Sequence, residues 1–448
     1  MRHRTSLLLI VLVLSVSATV NAQQSVDSMI DADIASLVST YKTLHAAPEL
    51  SHREEKTAAF LATQLRALGY TVTEGIGKFD RPEWHGHGIV AVMKNGPGPT
   101  VLLRSDIDAL PVEERTELPY ASKVRTKNDA GQEVGVMHAC GHDIHMTSLL
   151  GAAKLLAQLK SQWSGTLVLI GQPAEETIDG ARAMLKDDLY SRFPKPDFAI
   201  ALHDTPDLPA GSIGYTPAYT MASSTNIDIK IRGFGGHGSK PEATKDPIVL
   251  ASQIILALQT IVSRENSPLD PAVVTVGSIH GGTRYNIIPD EVNLQLTVRD
   301  FKEEVRQKLL ASIERIVKGT AIAAGITADL LPIVKVSETE ATTATYNDPP
   351  LTERIAKALA NVMGQDKVVR ISPVMGSEDF GYLSLNQQIP ATYFSIGASD
   401  PAKIEQSRQT GVPLPSLHSS LFAPVPEPTI RTGVKMLTLA ALDLMKKP

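Results

Sequence analysis

One cysteine, Cys140, among 448 residues leaves no possibility of an intramolecular disulfide. Neither sign of charge dominates: 43 Lys and Arg stand against 48 Asp and Glu, for a net charge of -5. With no basic patch interleaved with aromatics, that balance gives no sign of a nucleic-acid partner. Long apolar runs are missing too. The run Leu7 to Val20 falls short of the roughly 18 residues that favour a spanning helix. No internal repeat or low-complexity tract is present. What remains, 43% hydrophobic and 20% charged, is the composition of a soluble globular protein, and the length exceeds what one core usually supports, so two domains are expected.

Arg2 and Arg4 precede the Leu7 to Val20 run, and Val20-Asn21-Ala22 offers the small residues a signal peptidase reads. Residues 1–22 therefore read as a secretory signal peptide, with an uncleaved anchor as the alternative. The mature chain is expected to start near Gln23, to be exported to the periplasm or secreted, and to keep no stable membrane insertion. In an oxidising compartment a lone thiol is a liability, so Cys140 fits a metal-protected thiolate better than a structural residue.

Met137 to His145 packs three imidazoles, a carboxylate and the only thiol into one short stretch. Cys140 and His142 can reach a common divalent ion from one turn, with Gly141 letting the backbone pass close by. A helix start that happens to be rich in His is the bland alternative. Three apolar runs read as buried parallel strands, and each ends in acid or imidazole. Thr100 to Arg104 leads to Asp106 and Asp108, Thr166 to Ile170 to Glu175 and Glu176, and Phe198 to Leu202 to His203 and Asp204. That pattern is expected of a doubly wound mixed sheet, whose active crevice opens at the carboxyl ends of its strands. Taken singly, these groups could also be turn, cap or strand-end residues.

From about Ala218 to Leu331 the pattern changes. Asn226 to Ile231 and Val292 to Val298 alternate with period two, and Val273 to Ile279 reads as a third strand. Ile248, Ile255, Leu258 and Val262 line one face of a helix, and Val305, Leu309, Ile313 and Ile316 line one face of another. Strand, helix, strand, strand, helix resembles a ferredoxin-like α+β unit. The expected organisation is an α/β catalytic domain, residues 23–217 and 332–448, into which residues 218–331 are inserted as a lid or dimerisation domain.

Seven motifs carry a resemblance. Cys140-Gly141-His142, Gln172 to Glu176, Ala201-Leu202-His203, Gly235-Gly236-His237-Gly238, Asn286-Ile287-Ile288-Pro289, Gly376 to Phe380 and Leu417-His418-Ser419 follow one another in the order seen in amidohydrolases of the aminoacylase and carboxypeptidase superfamily. The branch most resembled is that of hippurate hydrolase and the hydrolases of indoleacetyl-amino acid conjugates, from about Leu37 to Leu444. The resemblance implies two divalent metal ions, Zn, Mn, Co or Ni, held by Cys140, His142, Glu176, His203 and His418, with Glu175 as general base. It implies that His237 meets the substrate carbonyl and that Asn286 and Arg299 bind substrate, the Arg fork suiting a free α-carboxylate. Related peptidases carry His-x-Asp where this chain has Asp106-Ile107-Asp108, and Asp108 reads as a carboxylate orienting a metal ligand. Asp143 and His145 read as helix-start and packing groups.

Departures from the pattern bear on specificity. Thr177-Ile178-Asp179-Gly180 stands where many relatives have a glycine run, Glu242 follows Pro241 where a His is frequent, and Ser420 replaces a common Pro. No Gly-x-Ser-x-Gly elbow suggests a serine nucleophile. The expected activity is hydrolysis of N-acyl amino acids, small molecules, by an enzyme that can form a homodimer through its insertion. A dipeptidase or aminopeptidase of the same superfamily, or an exported solute-binding protein, are the alternatives.

Overall fold

The computed structural model describes residues 26–447, with side chains throughout except at 338–340, and the segment read as a signal peptide lies outside them. The chain divides into two compact units. The first runs to Ala218 and takes in Asn347–Ile371 and Leu383–Pro448, and the second comprises Tyr219–Tyr346 and Ser372–Tyr382.

The first unit is built on an eight-stranded mixed sheet. Gly165–Gln172, Thr100–Asp106, Phe198–Pro209 and Ala391–Ser399 lie side by side in that spatial order, all parallel. Each is a run of aliphatic and β-branched residues buried over most of its length, as strands covered on both faces must be. On one side Gly88–Asn95 runs antiparallel to them and Thr71–Ile76 antiparallel to it in turn, and on the other Ile213–Tyr215 runs antiparallel, with Val368–Arg370 outermost and parallel to Ile213–Tyr215. Register then places the chemistry. Asp106 stands opposite Gln172, three residues before Glu175, and His203 stands opposite Ser395, so the acids and imidazoles that follow these strands emerge at one edge.

Helices cover this sheet. Val434 and Leu437 of the helix Pro426–Leu444 join Ile144 and Leu149 of the helix His142–Gln158 in one core with Leu103, Leu169 and Ile200. The two helices cross closely enough that a Cβ on Gly433 would stand 2.2 Å from Ser148 Oγ. The leading helix spans 26–45, and buried Val26 and Ile30 extend its apolar face at the start.

The second unit carries a four-stranded antiparallel sheet in the order Ala272–Gly281, Glu291–Asp300, Ser224–Arg232, Ile333–Thr342. Burial alternates along Ser224–Arg232 and Glu291–Asp300, and the inward residues, among them Ile229 and Leu294, pack on Ile254 of the helix Pro247–Thr260 and Leu309 of Glu303–Ala323. This is the ferredoxin-like α+β arrangement. Its fourth strand, Ile333–Thr342, pairs with Ser224–Arg232, so the chain stays in this unit past Leu331, where the sequence pattern had ended it.

One helix face differs from the sequence reading. Pro247–Thr260 buries Leu250, Ala251, Ile254 and Leu258, while Ile248 is 40% exposed and Val262, in the π-helical turn that follows, 37%. The helix is apolar almost all round, so periodicity does not select the side that meets the sheet. Val305, Leu309, Ile313 and Ile316, on the more amphipathic helix, are all buried as their spacing suggests.

Candidate active site

The first unit gathers its titratable groups where the parallel strands end. Gly141, at φ 76°, turns the chain out of residues 137–140 and into the helix that begins at His142. No side chain fits there, since a Cβ would stand 2.2 Å from Asp204 Oδ1. Cys140 Sγ lies 3.3 Å from His203 Nε2 and 3.3 Å from His418 Nε2. His418 Nε2 is 3.4 Å from Glu176 Oε2, and His142 Nε2 is 3.8 Å from Glu176 Oε1 and 3.8 Å from Glu175 Oε2. The structure thus brings together all six residues singled out from the sequence as ligands or base, from four separate stretches of chain.

The donor set suits a divalent cation. His142 Nδ1 donates to the backbone carbonyl of Asp108 at 2.8 Å, and His203 Nδ1 donates to that of Asp204 at 2.6 Å. A carbonyl can only accept, so each ring carries a proton on Nδ1, which leaves Nε2 as the atom that can face a metal. His142 Nε2 and Glu176 Oε1 are buried without a hydrogen-bond partner. Such atoms are rare unless something else satisfies them. Cys140, His142 and His203 form one group with ligand atoms within 4.8 Å of one another, Cys140, Glu176 and His418 a second, and Cys140 belongs to both.

Electrostatics agree. Burial, with His145 nearby, holds His203 well below the usual imidazole range, and burial lowers His418, so both are neutral and able to ligate. Burial, reinforced by Glu176 and Glu175, pushes the Cys140 thiol well up, and burial pushes Glu176 up to about 8 against the pull of His142. Crowded negative charge of this kind is what a divalent cation relieves, with release of the protons.

Behind these residues lies a layer of which the sequence pointed only to Asp108. Asp108 Oδ2 accepts from Ser51 Oγ at 2.6 Å and from the Glu176 backbone N–H at 3.0 Å, while its carbonyl holds His142, so one residue orients two neighbours. His145 is no mere packing group: Asp204 N–H donates to its Nε2 at 2.9 Å, and its Nδ1 donates to Asp106 Oδ1 at 2.6 Å. Burial raises Asp106, but His142, His145 and Arg104 more than offset that and keep it ionised. Asp143 is no mere helix-start residue either, for its carboxylate binds His45 Nδ1 at 2.7 Å. The imidazole-rich stretch signalled such chemistry, but its partners lie 39, 59 and 98 residues away along the chain.

The three residues expected to bind substrate lie in the second unit. His237 is exposed on the short strand Gly236–His237, its Nδ1 accepting from Ser239 N–H at 3.1 Å. Exposed Asn286 accepts from Gly238 N–H at 2.9 Å through its backbone carbonyl, and Arg299, half-buried on Glu291–Asp300, reaches Ser377 Oγ.

Among relatives, a thermostable carboxypeptidase of Saccharolobus solfataricus is 36% identical over 92% of this chain and 96% of its own. The hippurate hydrolase of Campylobacter jejuni is 38% identical over 76% and 82%. A crystal structure of a dinuclear metal binding peptidase of the M20 family from Bacillus subtilis superimposes with a TM-score of 0.72 at 29% identity, covering 93% of this chain and all of that one. Fold and site define a metal-dependent amidohydrolase. The chain belongs to the peptidase family M20/M25/M40, whose sequence profile matches residues 102–417.

Proposed function

We propose that this protein hydrolyses the amide bond of N-acyl amino acids, using a pair of divalent metal ions. The carrying observation is the convergence of Cys140, His142, Glu176, His203 and His418 at one edge of the sheet with Glu175 beside them. Kinship to a hippurate hydrolase and a carboxypeptidase supports the substrate class.

Bound divalent metal supplies Lewis acidity, lowering the pKa of water and polarising a carbonyl. The five ligands would hold it, and Asp108 would keep His142 and Glu176 in place. Glu175, whose Oε2 lies 3.8 Å from His142 Nε2 beside the ligands, acts as general base. It takes a proton from the water whose oxygen bonds to the amide carbon, then delivers that proton to the nitrogen as the C–N bond breaks. Nothing covalent forms between enzyme and substrate. His237 steadies the carbonyl oxygen, and Asn286 and Arg299 hold the α-carboxylate, for which a guanidinium fork is suited.

We also infer export, on the strength of Arg2, Arg4 and the apolar run that follows them. A homodimer through the second unit is supported by Val249 and Leu256, 54% and 72% exposed on one helix, and by the edge strand Ala272–Gly281 beside it in chain order. Purified, metal-reconstituted protein should be assayed on N-acetyl, N-benzoyl and indoleacetyl amino acids alongside free dipeptides. Turnover of the acylated amino acids well above that of dipeptides is expected, and preference for dipeptides would make it a dipeptidase instead.

A further inference from the structure

The turn that carries Glu175 and Glu176 is strained, and the chain holds it in an unusual way. Ala174 and Ile178 have φ of 52° and 61°, a left-handed conformation that glycine adopts freely and a β-branched residue resists. Thr177-Ile178-Asp179 supplies no glycine before Gly180, so the conformation must be imposed from outside. Two residues of one neighbouring segment do so. Glu54 Oε1 accepts from Ala174 N–H at 2.8 Å at the front of the turn. At its back, His52 Nε2 meets the Asp179 carboxylate at 3.1 and 3.2 Å, and Asp179 Oδ1 accepts from Thr177 Oγ1 at 2.7 Å.

His52 is itself clamped. Its ring lies flat on Trp84, with centroids 3.6 Å apart and planes within 8°, and Phe79 meets it edge-on at 4.7 Å. Arg81 covers the Trp84 ring, its guanidinium 4.4 Å from the centroid. A ring pinned by aromatics on one face and one edge has little rotational freedom, so Nε2 reaches Asp179 in a single orientation.

We propose that His52, locked by Trp84 and bonded to Asp179, is a positioning residue that fixes the turn presenting Glu175 and Glu176. This rests on the roles proposed above for those two glutamates. His52 touches neither glutamate in this arrangement. It acts through Asp179, keeping both glutamates turned towards His142.

The test uses metal-loaded full-length protein and the variants His52→Phe, which keeps the stacking, Asp179→Ala, Asp179→Asn, and the His52→Phe/Asp179→Ala double. Apparent affinity for added Zn²⁺ or Mn²⁺ is read by competition with a chromophoric chelator, and kcat and KM on the best N-acyl amino acid. Residues that orient ligands are worth about 10- to 100-fold in metal affinity or activity. His52→Phe and Asp179→Ala should each lose about tenfold or more in affinity and kcat, with KM within about twofold. Asp179→Asn, which keeps an acceptor, should restore most of the loss, and the double should be little worse than either single. Unchanged affinity and kcat in both single variants, or losses that simply add, would overturn the proposal. So would a lowered melting temperature with metal affinity and kcat intact, which marks a purely structural role. A wild-type protein inert towards every N-acyl amino acid would refute the functional reading instead, and the metal-affinity comparison would still decide the role of His52.

Discussion

Glu175 and Glu176 are neighbours on one turn yet have different surroundings. Glu176 is fixed by Asp108 through its backbone N–H and lies 3.4 Å from His418, while both carboxyls stand 3.8 Å from His142 Nε2. Adjacent carboxyls beside one site can divide labour, one on metal and one on a proton. Glu175→Gln should therefore retain metal and fold while kcat falls by about 10²–10⁴ or more, the worth of general-base catalysis. Metal content by elemental analysis and single-turnover rates check this, and near-native turnover would remove Glu175 from the role. His45 offers a test of a different kind. Burial alone would lower it, but hydrogen bonds to Asp143 and Glu114 raise it from 6.5 to about 10. Its folded pKa exceeds its unfolded one, so its stabilisation is complete below pH 6.5 and is lost as pH rises through about 10. The melting-temperature gap between wild type and His45→Gln should thus be wide near neutrality and shrink towards pH 10, and a gap that grows with pH would contradict the assignment.

Elements matter here for what they hold still. The helix that opens with His142 also bears Ser148, against which Gly433 of the last helix packs. A methyl group at Gly433 has no room at 2.2 Å from Ser148 Oγ and 2.8 Å from its Cβ, so Gly433→Ala must push the helices apart. Overpacking of this kind costs about 1–3 kcal/mol, which denaturant titration of the metal-free protein should register. A neutral effect would show a looser crossing. The helix Pro247–Thr260 teaches a different lesson. Apolar on nearly every side, it buries Leu250 and Ile254 and leaves Val249 and Leu256 exposed, and that outward stripe is where a second copy is proposed to dock.

For the molecule as a whole, metal and fold are coupled. A largely buried cluster of carboxylates, a thiol and several imidazoles is tolerated because ion pairs and a cation balance it. Metal that binds only the native state stabilises it by mass action, about 2.7 kcal/mol at a hundredfold excess over Kd for each site. Chelation should abolish activity and lower the melting temperature, and re-addition of metal should restore both. Full activity in a preparation shown to be metal-free would refute metal dependence.

Much of this protein was legible in its sequence because the signals are local. Continuous aliphatic runs such as Thr100 to Arg104 mark buried parallel strands, period-two alternation marks Ser224–Arg232, and acids or imidazoles directly after strand ends mark the edge where ligands gather. Residue chemistry likewise named Cys140, His142 and the paired glutamates as groups to watch. What depends on pairing across the chain was not legible. His145 with Asp106 and Asp204, His45 with Asp143 and Glu114, and His52 with Asp179 join residues 39 to 127 positions apart. Strand order and crossovers bring such partners together, and no local period encodes them. The same holds for the inward face of Pro247–Thr260 and for the glycine at Gly433, where the deciding factor is the neighbour that tertiary packing supplies.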